Sequence, residues 1–386
     1  LKNIKFLHCA DIHLDAPFSS LGPNDGKSSI RRQDLKDTFL SIIKIAKKED
    51  VDFIFICGDL YEHNYIRKST INFINGIFRT ISHIRIIIIP GNHDPRVKGS
   101  YYKNSDKYFE WAENVYILTD DMPYIEFKEK NVCIYRYVNQ QALSVDKEKI
   151  NILLAHGTVD FNFDKNSYNP VTSGQLASTG MDYIALGHFH NRMDNIGDRG
   201  NIFNPGSPEP LGFDEPGEHG VFIGSITKDR LDVRDLDVRF ITVNKKEYID
   251  INVDITICAT DEQIAEKISS ALANHADNAN YIKKVSDLLV SVTLTGYIDR
   301  QLTLDVEYIT SLLKETFFFI KIKNETLPDY DFDEIKKETG LKGLFARKIF
   351  DLIDRTDNVN EKKLLMKSLY YGIEALEKGQ VDIFGY

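Results

Sequence analysis

Five short polar segments carry the chemistry: Asp11-Ile12-His13, Gly58-Asp59, Gly91-Asn92-His93-Asp94, Ala155-His156-Gly157 and Gly187-His188-Phe189-His190. Each follows an apolar run that reads as a strand, so five strand ends can deliver carboxylate, amide and imidazole groups to one point. Asp11 and His13 are two residues apart and can turn toward the same side of a strand tip, and His188 and His190 repeat that spacing. Gly58, Gly91 and Gly187 give backbone freedom where the chain must bend sharply to present a donor. Oxygen and nitrogen donors without a thiolate suit Mn, Fe, Zn or a similar divalent ion. Two such ions about 3.5–4 Å apart need a shared anion, and Asp59, central in the order and carrying two oxygens, is the natural bridge. A cation pair of that kind activates water and clamps the attacked and departing oxygens of a phosphoester, which makes phosphoester hydrolysis the favoured class. A single histidine after a strand is more often structural. Five such segments are hard to explain by packing, because each buried polar group without a partner costs desolvation. Spacing alone leaves open which of Asn92 and His93 is a ligand.

The elements that must position these groups follow from the patterning. Runs such as IKFLHCA, VDFIFIC, IRIIIIP, INILLAH and MDYIALG are rich in residues suited to buried strands. Between the first two, Leu35, Phe39, Ile42, Ile43 and Ala46 recur at helical spacing and predict a helix over Arg31–Asp50; a second is expected over Lys68–Ser82. The expected class is therefore α/β, with the polar loops at strand ends. Near residue 240 the pattern changes to a β-α-β-α-β module over Tyr248–Lys323, its first helix starting with an Asp cap at Asp261. After ETLPDYD the chain reads as helices: Phe332–Thr339, Gly343–Asp354 and Asn360–Lys378. The middle one shows an apolar face of Leu344, Phe345, Ile349, Leu352 and Ile353, which either docks on its own protein or fills a partner's groove.

Composition sets bounds on this reading. The 386 residues allow one large and one smaller domain, and an apolar fraction of 42% supports a substantial core. Cys9, Cys57, Cys133 and Cys258 are far apart with no CxxC spacing, as expected for buried thiols in a reducing compartment. No secretory segment precedes the first strand and no apolar run approaches the roughly 18 residues needed to cross a bilayer, so a cytoplasmic protein without membrane association is expected. The formal charge of −10 argues mildly against a polyanionic partner. Bound cations or a partner's positive surface weaken that argument, so nucleic acid is permitted rather than indicated.

The five segments resemble the calcineurin-like metallophosphoesterase pattern. The longer contexts HCADIHLDAPF, CGDLYEHN, IPGNHD, LLAHG and GHFHNR resemble DNA double-strand-break repair nucleases of the SbcD and YhaO type. The resemblance implies a four-layer α/β/β/α sandwich over residues 1–240, a small α+β capping domain over 241–326 and a C-terminal helical partner-binding region over 327–386. It assigns one metal to Asp11, His13, Asp59 and His190 and the other to Asp59, Asn92, His156 and His188. His93 becomes the group that stabilises charge at the scissile phosphate and protonates the leaving 3′ oxygen, with Asp94 orienting its ring. Relatives often carry His or Asp three residues after the bridging aspartate, where this chain has Glu62 followed by His63; Glu62 is expected to hold an imidazole such as His93, unless His63 takes over a phosphate contact. The implied activity is manganese-dependent DNA cleavage, with Fe or Zn as alternative metals: 3′ to 5′ exonuclease on duplex ends and endonuclease on single strands.

The implied partners are DNA, an SMC-like ATPase of the SbcC/YhaN type gripped by the C-terminal helix GLKGLFARKIFDLI, and a second copy of the chain meeting helices within Arg67–Ser82 and Ser105–Glu113. Arg67, Lys68, Arg96, Lys98, Arg192 and Arg199 are candidates for DNA phosphate contacts. The rival readings are a phosphoesterase for small nucleotides or phosphoproteins, marked by a deep closed pocket, and a scaffold for an ATPase that has lost catalysis.

Overall fold

The apolar run Lys2–Cys9 forms strand β1, and helix α1 (Lys27–Glu49) carries the chain to β2 (Phe53–Cys57), all five residues of which are buried. The computed structural model describes residues 2–22, 26–103, 109–138, 145–161, 167–230, 232–278, 284–300 and 302–379. These fall into two compact units, Leu1–Glu247 and Tyr248–Tyr386.

In the first unit the chain continues through α2 (Lys68–Arg79), β3 (Arg85–Ile89), β4 (Val115–Ile117), β5 (Tyr124–Phe127), β6 (Val132–Arg136), β7 (Ile150–His156), α3 (Ser173–Ser178), β8 (Tyr183–Gly187), β9 (Ile202–Phe203), β10 (Gly220–Asp229) and β11 (Asp232–Thr242). Two sheets result, in the orders β11-β10-β1-β2-β3-β4 and β5-β6-β7-β8-β9. β1, β2, β3 and β4 are parallel neighbours, as are β6, β7, β8 and β9. Strands alternate their side chains between faces, so each sheet has one face for its partner sheet and one for helices. Ile4, Phe6, Phe53, Phe55, Ile87 and Ile89 of the first sheet pack with Ile134, Ile152, Leu154, Tyr183 and Ala185 of the second in one buried cluster. The intervening Leu7, Ile54, Ile56, Ile86 and Ile88 are buried on the opposite face. The outer face of the second sheet, including Leu153, Ile184 and Leu186, is covered in part by Leu176 of α3. This is an α/β sandwich with two sheets at its centre.

Helix α1 starts at Lys27, four residues before the expected Arg31, because Gly26 takes the left-handed turn (φ 74°) that begins it. Its buried face holds Leu35, Phe39, Ile42, Ile43 and Ala46, as the spacing predicts. The same face contains a fully buried Arg31, whose Nη1 donates to Glu209 Oε1 at 2.6 Å. The expected helix over Ser105–Glu113 is not found: residues 109–113 are non-helical, and 105–108 lie outside the described residues. The segment is held instead by α2, where Asn75 donates to Glu110 O at 2.8 Å and accepts from the Ala112 amide at 2.7 Å.

The second unit contains β12 (Glu247–Asp254, whose first residue closes the first unit), α4 (Asp261–Asn278), β13 (Leu288–Thr295), β14 (Tyr297–Ile298), α5 (Val306–Leu313), β15 (Phe319–Asn324), β16 (Leu327–Pro328), α6 (Phe332–Lys337), α7 (Leu341–Arg355) and α8 (Val359–Lys378). β13 lies between β12 and β15 and is parallel to β15, and α4 and α5 contribute Ile264, Ile268, Leu272, Ile309 and Leu313 to their core. The cap of α4 is Thr260 rather than Asp261: the Thr260 hydroxyl accepts from the Gln263 amide at 3.3 Å, and Asp261 is already helical. Tyr330, Ile335, Ala346, Leu369, Tyr370 and Ile373 form a separate cluster among the last helices. The apolar face of α7 divides: Phe345 and Ile349 pack on that cluster, whereas Leu344 and Leu352 remain 47% and 48% exposed. Among the described residues no helix is long and apolar enough to cross a membrane.

Candidate metal centre

The ends of three adjacent parallel strands meet the ends of two others. β1, β2 and β3 release Asp11 to His13, Asp59, and Asn92 to Asp94; β7 ends on His156, and β8 releases His188 and His190. The first loop is pinned along the second, with Asp11 N donating to Gly58 O at 3.1 Å and His13 N to Asp59 O at 2.9 Å. This pinning holds Asp11, His13 and Asp59 in left-handed backbone at φ 51°, 49° and 52°, and His188 sits at φ 105°. Such conformations cost a non-glycine residue about 1–3 kcal/mol each and persist only where surroundings fix them.

The glycines have two roles. Gly58 (φ 85°) does need backbone freedom. Gly91 and Gly187 are required instead by close approach: a Cβ on Gly91 would lie 2.2 Å from Asp59 Oδ1, and one on Gly187 would lie 2.0 Å from Cys57 O.

Hydrogen bonds to the ring nitrogens decide what the histidines offer. His156 Nδ1 lies 2.8 Å from Cys57 O, which can only accept, so Nδ1 carries a proton and Nε2 is the nitrogen left to meet a cation. That nitrogen faces two oxygens, Asn92 Oδ1 at 2.9 Å and Asp59 Oδ2 at 3.3 Å. His188 Nδ1 is 3.1 Å from the same Asn92 oxygen. His13 Nδ1 is 2.7 Å from Glu62 Oε1 and His190 Nδ1 is 2.6 Å from Glu215 Oε1, which leaves the two Nε2 atoms facing each other at 3.1 Å. Asp59 Oδ2 is also 3.8 Å from His13 Nε2, so one oxygen borders both groups of donors. Nitrogen and oxygen donors converging on one point are what a cation binds, displacing any proton held between them, and outer carboxylates that fix ring tautomers are typical of its surroundings. Asp11 with His13 and His190, and Asp11 with Asp59 and His156, bring their ligand atoms within 4.8 Å of one another. The donor set fits divalent ions.

His93 stands at the edge. Its ring is 44% exposed, its amide donates to Asp59 Oδ1 at 2.7 Å, and its Nδ1 lies 3.0 Å from Glu62 Oε2. Glu62 therefore holds two imidazoles, His13 with one oxygen and His93 with the other. The expectation that Asp94 orients the His93 ring is corrected: Asp94 accepts from the amides of Gly91 at 2.7 Å, Asp59 at 3.1 Å and Leu60 at 2.8 Å, and from the Tyr102 hydroxyl at 2.7 Å. Its side chain points inward from its own turn and binds the β2 and β3 loops together. His63 contributes its amide to His93 O at 2.9 Å.

Residues 4–192 match the calcineurin-like phosphoesterase family model. The chain carries a calcineurin-like phosphoesterase domain. Along 385 aligned residues it is 27% identical to a Bacillus subtilis protein named uncharacterized metallophosphoesterase YhaO, covering 92% of this chain and 88% of that protein. Two proteins named as a subunit of the nuclease SbcCD, from Staphylococcus epidermidis and from Staphylococcus saprophyticus, are each 29% identical, over 49% of this chain and 57% of theirs. A solved structure of TT1561 from Thermus thermophilus superposes with a TM-score of 0.36 at 12% identity, covering 61% of this chain and 98% of its own. Divalent metal binding follows from the phosphoesterase family and the donor set together.

Electrostatics in the phosphoesterase domain separate the carboxylates. Burial pushes Asp11 up, more than His156 and His190 pull it down. Burial also opposes ionisation of Asp59, but the hydrogen bond and charge of His156, with His13 and the His93 amide, hold it well below the usual carboxylate range. Against the same penalty, contacts to His13 and His93 bring Glu62 down to about 2. Burial lowers His156 and His190, yet Asp59 and Glu215 respectively raise each to about 9. His188, desolvated and beside His156, falls to about 4.

The sequence reading missed Glu215. Its second oxygen accepts from the Ser207 hydroxyl and the Leu211 amide, both at 2.9 Å, so it is as firmly held as Glu62. The polar turn GFDEPGEHG was the available signal, but nothing local marks which acid turns inward. Among the expected phosphate contacts, Arg192 is engaged by Asp194 and Glu218 and stacks 4.2 Å from the Phe240 ring centroid, and Arg96 pairs with Asp121 at 2.5 Å. Arg67, Lys68, Lys98 and Arg199 are exposed.

Proposed function

We propose that the protein is a manganese-dependent DNA phosphodiesterase, a 3′ to 5′ exonuclease on duplex ends and an endonuclease on single strands, acting in double-strand-break repair. The observation that carries the chemistry is Asp59 Oδ2, placed between the Nε2 atoms of His13 and His156 with His93 at the rim. One cation would be held by Asp11, His13, Asp59 and His190 and a second by Asp59, Asn92, His156 and His188. Two divalent ions in such a set supply charge that draws phosphate oxygens and activates water for attack. Asn92 adds an oxygen donor without adding charge. His93, exposed and braced by Glu62, stabilises the phosphate and delivers a proton to the leaving 3′ oxygen. The Glu62 hydrogen bond raises His93 from its usual range, which keeps a proton available near neutral pH.

DNA as substrate is supported by the staphylococcal relatives, whose names place them in a nuclease. The B. subtilis relative, which aligns over more of the chain, is named only as a metallophosphoesterase, so a small-nucleotide or phosphoprotein substrate is the second reading. We further propose a cytoplasmic homodimer whose C-terminal helices grip an SMC-like ATPase, with exposed Leu344 and Leu352 of α7 available for that contact. The deciding experiment supplies Mn2+ and compares linear duplex DNA, single-stranded DNA, mononucleotide esters and a generic phosphodiester. Shortening of duplex from 3′ ends supports the assignment. Turnover of mononucleotide esters alone selects the second reading, and no turnover of any substrate selects an inactive ATPase scaffold.

A further inference from the structure

The loop that presents His188 and His190 places Phe189 between them, and this side chain is only half-buried. Phe161, from the loop after β7, lies against it with ring centroids 4.5 Å apart and planes inclined at 39°, yet remains 52% exposed. The aromatic row continues inward: Phe189 is 5.5 Å from the His188 ring, His188 is 5.8 Å from Tyr168 and 5.2 Å from His156. Burial is a weak reason for the outer pair, because half of Phe161 still faces water. Its position is nonetheless built. Asp160, immediately before it, is held in left-handed backbone (φ 57°), with its amide donating to Val171 O at 3.3 Å and its Oδ1 accepting from the Ser173 amide at 2.8 Å.

We propose that Phe161 and Phe189 form a stacking platform for an unpaired nucleobase of the strand whose phosphodiester is at the metal centre. This rests on the phosphodiesterase reading above and specifies its substrate. The face of Phe161, 52% exposed and one side chain away from His188 through Phe189, lies within the reach between a phosphate and its own base. Stacking on an aromatic ring tolerates any base, because every base has a π face. Such a contact gives preference for unpaired strands or frayed ends without sequence selectivity, since a base held in a duplex stack is not free to leave it. The same chemistry could serve the base of a free nucleotide, and the test separates the two.

The Mn2+-loaded full chain is assayed on a short single-stranded oligonucleotide and on its counterpart with an abasic residue beside the scissile phosphate. Phe161→Ala is expected to raise KM for the intact strand about tenfold and to have a much smaller effect on KM for the abasic strand. Phe161→Trp should restore wild-type affinity for the intact strand, which loss of folding in the alanine variant could not mimic. Thymidine 5′-(4-nitrophenyl phosphate) and methyl 4-nitrophenyl phosphate form the parallel mononucleotide pair. Equal penalties on intact and abasic strands overturn the platform while leaving the phosphodiesterase reading intact, and a penalty confined to the mononucleotide pair overturns the assignment to a strand. Wild-type protein that cleaves none of the four removes the phosphodiesterase reading itself, and the platform with it.

Discussion

Glu62 is the residue on which the division of labour turns. One carboxylate braces His13, a member of the candidate donor set, and His93, the proposed proton donor, so its loss should damage both. Glu62→Gln, which can accept from only one ring, is expected to lower turnover by about 100-fold and divalent-ion affinity by about tenfold, read by steady-state kinetics and calorimetric titration. Unchanged values for both would remove Glu62 from the site. His8, away from the donor set, gives a pH prediction of its own. Its Nε2 lies 2.8 Å from Leu186 O and its Nδ1 2.9 Å from the Tyr183 hydroxyl. Burial, only partly offset by the bond to Leu186, brings it from 6.5 down to about 3. A folded value below the unfolded one means that the unfolded chain takes up the proton first, so the His8 contribution is complete above pH 6.5 and is lost as pH falls toward 3. Urea unfolding of His8→Gln should show a pH slope shallower than wild type by up to about 1.4 kcal/mol per pH unit in that window. The candidate donors were legible from type and spacing, apart from the choice between Asn92 and His93, since few other arrangements place Asp, Asn and His at successive strand ends. Their supports were not: Glu215 reaches His190 across 25 residues, and only the folded turn distinguishes it from neighbouring acids.

At the scale of elements, the sheets made the site readable. Buried parallel strands appear in sequence as continuous apolar runs, so FIFIC and RIIII were plain, and the polar residue after each marked a strand end. Helix starts were less plain, because Gly26 and Thr260 act through backbone conformation and a single capping bond rather than through apolar spacing. The glycines illustrate the limit well. Sequence suggested bending at all three, but for Gly91 the reason is the neighbouring loop, and a contact between loops has no local signature. Gly91→Ala should therefore act on Asp59, whose Oδ1 lies where the methyl would go. We expect loss of bound metal, measured by elemental analysis, while far-UV circular dichroism stays unchanged. Full metal content in that variant would show that the β2 and β3 loops can part without cost.

For the whole molecule, cation binding and folding are linked. A ligand that binds only the folded state adds about 2.7 kcal/mol at a concentration of about 100 times its Kd, so chelation should lower the melting temperature by several degrees. Because His156 and His190 are each raised to about 9 without a cation, incoming ions displace protons, and affinity should fall as pH drops from 9 toward neutrality. Calorimetry in buffers of different ionisation enthalpy would count those protons, and release of none would refute the linkage. The donors have a further consequence through their origin. Asp11, His13, Asp59 and Asn92 belong to one sheet and His156, His188 and His190 to the other. Ions held among them would act as a cross-link between the two halves of the sandwich, much as a disulfide ties two strands. A force separating the sheets, in an optical trap or by an engaged motor, would then meet its largest resistance at the active centre, and chelation would weaken the molecule mechanically at that seam.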